Sequence, residues 1–380
     1  MDCGDFGGRK VKSQYLKVRY LLKGMSLLKY DAINLAEKDL QYGREFLEDL
    51  RKEYQLPFIS ANVHYSGTKK LFAKPYVIKK LGGVKIGIFG VTKAEGMQRF
   101  VSPETGFEIS DPFLAAQASV EKLRKKCDVV IALSHLGLNG SRELAKKVQG
   151  IDIIISGHQG KHLRQPEQIG NTVIMQTGSQ GKYLGQIDFR VSSNKFALIE
   201  GKTVALSKKI VDDAALSKVI KEYDEALLAA YPMESPKATK KFTPLSEKSC
   251  MVCHRSQYLQ WRTTLHYHAW ETLLEEKQNH NPECQQCHTT RFGEPNGFTT
   301  INETPYFVNV QCAECHREAN GDILKHINRF RRKPRSAISK SNGQAKSDFR
   351  PITEQICLKC HNEDNSPNFS YQSYLTKVTH

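Results

Sequence analysis

The pentad Cys250-Met251-Val252-Cys253-His254 returns three more times in the last third of the chain. The copies are Cys284-Gln285-Gln286-Cys287-His288, Cys312-Ala313-Glu314-Cys315-His316 and Cys357-Leu358-Lys359-Cys360-His361. Two thiols at this spacing add across the two vinyl groups of a haem, and the histidine that follows is held against the iron as proximal ligand. About 0.01 such pentads are expected by chance at these Cys and His frequencies, so four carry a message. Zinc also binds paired Cys-x-x-Cys, but zinc knuckles do not require a histidine after every second cysteine. The expectation is four haem c groups, one on each pentad.

Outward from the first pentad, the chain offers roughly 33 residues per haem, too little polypeptide for an ordinary side-chain core. The haems themselves must form the core of a mainly helical, haem-packed domain over 249–380, punctuated by turns at Asn296-Gly297, Asn320-Gly321, Asn342-Gly343 and Pro367. The candidate distal iron ligands are the five histidines outside the pentads, His266, His268, His280, His326 and His380. A helix read over Trp261 to Glu276 puts His266 and His268 on nearly opposite faces, so the two cannot serve one iron. His266 shares its face with Leu259, Trp270 and Leu273 and is the preferred ligand, whereas His268 lies with Thr264 and Glu271.

With 380 residues, two or three domains are expected. Eight of the ten cysteines belong to the pentads, leaving Cys3 and Cys127 and no disulfide framework. The formal charge of +16 would suggest nucleic acid. Four haems, however, bring roughly eight propionate charges and cancel about half of it. Nucleic acid is therefore not expected as a partner. The run Arg329-Phe330-Arg331-Arg332-Lys333-Pro334-Arg335 reads as a solvated loop neutralising propionates or as a dock for an acidic redox partner protein.

Haem is attached to this motif outside the cytoplasm, so the protein is expected in the periplasm or another extracytoplasmic space. Met1-Asp2-Cys3-Gly4-Asp5 has neither the charged nor the apolar region of an export signal. The signal is expected upstream of Met1, the chain being N-terminally incomplete. No run of about 18 apolar residues marks a transmembrane segment.

Residues 1 to about 205 alternate strands and amphipathic helices, the pattern of an α/β domain. Strands are read at 57–63, 84–91, 128–134, 151–156, 172–176 and 184–191. Helices are read at 13–29, 40–52, 112–126 and 141–149, with Asp111 as N-cap before Pro112. A longer helix follows at 212–231, and a polar linker over 232–248 divides domain 1–231 from domain 249–380. Asp5, His135 and His158 each fall at a strand end, where open α/β sheets bind metals and ligands. Cys3 reads as a small buried strand residue or as a redox or metal-ligating thiol, and Cys127 as packing.

Residues 250–380 resemble the cytochrome c-554 type of tetrahaem electron carrier. The strings that carry this are Tyr258-Leu259-Gln260-Trp261, Leu265-His266-Tyr267-His268-Ala269-Trp270, Pro282-Glu283-Cys284 through Thr290, and Asn309-Val310-Gln311-Cys312 to His326. The resemblance implies His266, His326 and His380 as distal ligands. Arg317-Glu318-Ala319-Asn320-Gly321 departs from it, standing where the family often has a Gly-Pro-Gly-like turn.

Residues 1–231 resemble the 5′-nucleotidase branch of the calcineurin-like metallophosphoesterases. The matching segments are Tyr30-Asp31-Ala32, Ser60-Ala61-Asn62-Val63, Val84 to Thr92 and Gly178-Ser179-Gln180-Gly181-Lys182-Tyr183-Leu184-Gly185. The resemblance implies an α-β-β-α sandwich, here lacking its first strand, and one or two divalent ions (Mn, Zn, Fe or Mg). Asp5 would bridge them, with His135 and His158 as further ligands. The family's Asp-x-His pair has no counterpart here. Its Gly-Asn-His-Glu segment reads Ala36-Glu37-Lys38-Asp39, so Glu37 would replace an asparagine ligand and Lys38 would offer charge to a phosphate. Its Gly-His-x-His reads Gly157-His158-Gln159-Gly160, with His162 two residues late. Asp5 and Lys38 are thus the catalytic candidates, and Asp5, Glu37, His135, His158 and His162 the metal candidates. Two readings follow. One is an electron carrier with a diverged domain that binds a nucleotide or other anion, or docks a partner. The other is a metal-dependent phosphoesterase or sulfur-compound hydrolase with an attached haem relay.

Overall fold

The computed structural model describes residues 1–8, 11–94, 101–158, 160–192, 195–207, 209–231, 246–294, 296–317, 326, 349–362, 365–366 and 368–379. The chain divides into two units, Met1–Asp224 and Glu225–His380. Most of the expected linker, His380 and the basic run 329–335 lie outside the described residues.

The first unit opens with α1 (Lys12–Leu27), β1 (Ile33–Asn34), α2 (Glu37–Leu40), α3 (Arg44–Tyr54), β2 (Phe58–Ile59) and β3 (Val63–Tyr65). It continues through β4 (Tyr76–Leu81), β5 (Val84–Thr92), β6 (Phe107–Ile109), α4 (Pro112–Leu123), β7 (Val129–His135) and α5 (Gly137–Lys147). It then runs through β8 (Ile153–Ser156), β9 (Glu167–Ile169), β10 (Thr172–Met175), β11 (Tyr183–Ser192), β12 (Lys195–Ala205) and α6 (Ala214–Ala230), within which the division between units falls.

The central sheet runs β4-β5-β7-β8-β10-β9. Its inner strands β5, β7, β8 and β10 are parallel, and the edges β4 and β9 are antiparallel. A parallel sheet is covered on both faces and needs apolar runs instead of alternation. Accordingly every residue of Val129–His135 is buried. The crossover helix α4 starts where the sequence marks it: Asp111 accepts from the backbone N–H groups of Phe113 and Leu114 at 2.8 and 2.9 Å, with Pro112 in the first turn. Because the four inner strands point the same way, their C-terminal ends share one edge, carrying Thr92, His135 and the segment after Ser156.

Several boundaries differ from the sequence reading. The helix expected over 40–52 is two, because Gly43 at φ +89° breaks it between α2 and α3. The strand expected over 57–63 is split into β2 and β3, and α5 begins at Gly137 instead of Ser141. The hairpin partner β12 went unread. A register shift at Asp188/Phe189 interrupts the two-residue period by which that hairpin would be recognised. On α6, Val219 is buried and Ile220 is exposed.

In the second unit the helices are short: Glu247–Met251, Arg255–Trp261, Ala269–Glu275, Pro282–His288, Cys312–Cys315, Glu354–Leu358 and Tyr371–Val378. The continuous helix expected over 261–276 is interrupted. The hydroxyls of Thr263 and Thr264 bond back to the carbonyls of Gln260 and Trp261 at 2.7 Å, ending one helix, and the next starts at Ala269. Trp270, Leu273, Phe298 and Phe307 form a small apolar cluster.

Candidate functional site

Four of the five expected metal residues converge at the C-terminal edge of the first unit's sheet. Asp5, Glu37, His135 and His158 each offer a ligand atom, all within 4.8 Å of one another. His135 closes β7, Glu37 opens α2, and Asp5 and His158 stand on loops in the left-handed region at φ +66° and +81°. A non-glycine residue pays of order 1–3 kcal/mol for such a conformation, and strain of this kind gathers where side chains are aimed for function.

The contacts are those of a cation site. His135 Nε2 faces Asp5 Oδ2 at 3.3 Å and Glu37 Oε2 at 3.4 Å, while His158 Nδ1 meets Glu37 Oε1 at 3.0 Å and His135 Nε2 at 3.2 Å. A carbonyl can only accept, so the contact from His135 Nδ1 to the Cys3 carbonyl at 3.0 Å fixes a proton on Nδ1 and turns Nε2 inward. Burial alone would depress the His135 pKa, but Asp5 and Glu37 overcome it and push it up to about 10. Burial opposes ionisation of Asp5 and Glu37 too, and the histidines nonetheless hold both carboxyls below their usual range. Glu37 Oε2 is buried without a hydrogen-bond partner. Two carboxylates and two imidazoles aimed at one point, with an acceptor left unsatisfied, fit a divalent metal of the zinc or manganese type.

Lys38 Nζ pairs with Asp5 Oδ2 at 2.9 Å, and the Lys38 backbone N–H reaches Asp5 Oδ1 at 3.2 Å. His162 is not among the four: its ring stacks on Tyr183 and its Nε2 meets Thr203 Oγ1 at 2.8 Å. Cys3 is also elsewhere. Its thiol donates to the Ile155 carbonyl at 3.1 Å, and burial pushes its pKa up, leaving it neutral. Cys127 packs among apolar residues. Asp39 is the residue the sequence reading passed over. Its two oxygens accept backbone N–H bonds from Asp5, Gly7 and Ala36, each at 2.9 Å, and so tie the Asp5 loop to α2. An acidic third residue of a short helix was its one sequence signal.

In the second unit, each pentad starts on or within a short helix. The thiols of Cys250 and Cys312 hydrogen-bond, as do those of Cys287 and Cys360. Burial and the neighbouring Cys357 push the Cys315 thiol up to about 12. The pentads are therefore adjacent in the order first, third, fourth, second. The rings of His254 and His326 lie nearly parallel with centres 6.2 Å apart, and those of His266 and His361 lie 6.0 Å apart. Two imidazoles on one iron, each at roughly 2 Å, have ring centres about 6 Å apart, so both pairs fit an axial couple. His288 Nδ1 donates to the Ala269 carbonyl and His361 Nδ1 meets Ser366 Oγ at 2.9 Å, which leaves Nε2 of each for an iron. Around the pentads Met251, Val252, Leu259, Leu265 and Leu358 are exposed, Leu265 at 88%, an apolar surface of the kind porphyrin covers. His268 instead faces solvent and pairs with Glu271 at 2.7 Å, and His280 is buried.

Residues 249–317 match the family described as cytochrome c554 and c-prime. The trifunctional nucleotide phosphoesterase YfkN of Bacillus subtilis is 31% identical over 205 residues, covering 44% of this chain and 14% of that one. UshA of Yersinia enterocolitica is 27% identical over 226 residues, covering 50% and 41%. The chain joins a 5′-nucleotidase-like phosphoesterase domain to a cytochrome c554-type segment. Among solved structures, a 5′-nucleotidase precursor from Thermus thermophilus superposes with a TM-score of 0.55 at 23% identity, covering 62% of this chain and 51% of that one. The sulfate thiohydrolase SoxB of the same organism gives 0.55 at 21%, covering 62% and 43%. These show the fold of the phosphoesterase-like domain. The chain spans less than half the length of the two curated relatives. Among the described residues no helix is long and apolar enough to cross a membrane.

Proposed function

We propose that this protein carries electrons in an extracytoplasmic space through four haem c groups. Cys250 and Cys253, Cys284 and Cys287, Cys312 and Cys315, and Cys357 and Cys360 would attach them, with His254, His288, His316 and His361 as proximal ligands. The observation that supports this best is the pairing of His254 with His326 and of His266 with His361 at the spacing of axial imidazoles. His326 would then serve the first haem and His266 the fourth. When bound, haem supplies one-electron chemistry, and the chain's histidines and enclosure set its potential. Redox partner proteins would be the donors and acceptors. Expression with a c-type maturation system and a pyridine haemochrome assay test it: four haems per chain are expected, and zinc in their place would sink the proposal.

The phosphoesterase-like domain would hold a divalent ion on Asp5, Glu37, His135 and His158 and present it, beside Lys38, to a nucleotide or another oxyanion. A second reading, a metal-dependent phosphoesterase with an attached relay, is favoured by the convergence of those four ligands. Bound there, the ion would act as Lewis acid and Lys38 would orient the anion. Nucleotide hydrolysis with added manganese or zinc, abolished by Asp5→Ala, would establish this second reading. No turnover with either metal would leave the domain a binding module.

A further inference from the structure

We infer that the centre in the phosphoesterase-like domain takes one divalent cation, and that the ammonium of Lys38 stands on Asp5 where a second cation would sit. This rests on the reading of Asp5, Glu37, His135 and His158 as metal ligands. Those residues bring one donor atom each within 4.8 Å of one another, as many donors as one zinc-type ion takes, and among the described residues they are the one such group. Two-metal hydrolytic sites hold their ions about 3.5–4 Å apart across shared ligands. The carboxylate of Asp5 already carries a cation. Oδ1 takes the Lys38 backbone N–H at 3.2 Å, and Oδ2 takes Lys38 Nζ at 2.9 Å on one side and faces His135 Nε2 at 3.3 Å on the other.

A second cation on Asp5 would have to displace a covalently tethered positive charge held by the adjoining helix. His162, which could have supplied another donor, is committed to Tyr183 and Thr203. By contrast, Glu37 Oε2, in a side chain 1% exposed, accepts no hydrogen bond and faces His135 Nε2 at 3.4 Å, so one ion has a ready acceptor there. The Lys38 side chain is 45% exposed, so its outer face remains open to an oxyanion resting on that ion. A lysine in this position therefore does for the ligand's charge what a second metal does elsewhere.

Manganese(II) titration of the full chain, with its covalent cofactors and after chelator treatment, tests this. Bound manganese is counted by mass spectrometry, apart from haem iron, and its coupling is read by electron paramagnetic resonance. One equivalent with an uncoupled six-line signal is expected. Lys38→Ala, checked for unchanged haem absorbance and melting temperature, should still bind one equivalent, at least threefold tighter because a repelling charge has gone. Two equivalents or an exchange-coupled signal in the unaltered chain, or unchanged affinity in Lys38→Ala, overturns the inference. No manganese bound by the unaltered chain refutes the metal reading itself.

Discussion

His135 donates to the Cys3 carbonyl across 3.0 Å, and Gly157 is the residue that permits the approach. A Cβ on Gly157 would stand 2.9 Å from Cys3 Cβ and 3.2 Å from His135 Nδ1. Ligand orientation at the phosphoesterase-like centre thus depends on a glycine that donates nothing to it.

Gly157→Ala is expected to destabilise the chain by about 1–3 kcal/mol through overpacking. By tilting the His135 ring it should also weaken manganese binding by about 10–100-fold. Urea denaturation and calorimetric titration measure the two effects. Full metal affinity in a stable variant would show that the ring does not need this support.

Asp39→Asn replaces an oxygen that accepts backbone N–H bonds with an amide that can only donate. Asp5 and Ala36 share Oδ2, so the amide takes the place of Oδ1 at least cost and leaves the Gly7 N–H facing another donor. A loss of about 1–3 kcal/mol is expected from urea unfolding. The Asp5 loop should open first, with faster amide exchange at Gly7.

Metal should stabilise the fold by mass action. Zinc at 100 times its dissociation constant is expected to add about 2.7 kcal/mol, visible as a rise in melting temperature that chelator reverses. Glu37→Gln removes a charged ligand and should abolish most of that rise. An equal rise in the variant would place the ion elsewhere.

His326→Ala and His266→Ala should each convert one haem from six-coordinate low spin to high spin, counted by electron paramagnetic resonance. The double variant should convert two, because the two histidines approach different pentads. Conversion of the same haem by both variants would contradict the pairing.

Much of this was legible in the sequence, for identifiable reasons. Buried parallel strands such as Val129–His135 announce themselves as apolar runs, and Asp111-Pro112 spells its own helix start. The convergence of His135 and His158 followed from their places at the ends of β7 and β8, while Asp5 joins them from a loop after the isolated bridge at Asp2. What stayed hidden was set by tertiary context. Nothing local says that His162 would settle on Tyr183, that Asp39 would tie three backbone groups, or that threonine hydroxyls would end a helix at Trp261. The pairing of His266 with His361 was hidden too, since the two lie far apart along the chain.

Those separations bear on how the cytochrome-type unit assembles. Joining His254 to His326 closes a loop of roughly 70 residues, and joining His266 to His361 closes another of roughly 95, each at an entropic cost that grows slowly with length. The loops overlap, since His266 lies inside the first and His326 inside the second. Neither half can therefore finish without the other, and folding is expected to be slow and governed by these distant contacts. Covalent attachment of a ring at each pentad would then act as a staple that sets the order of assembly.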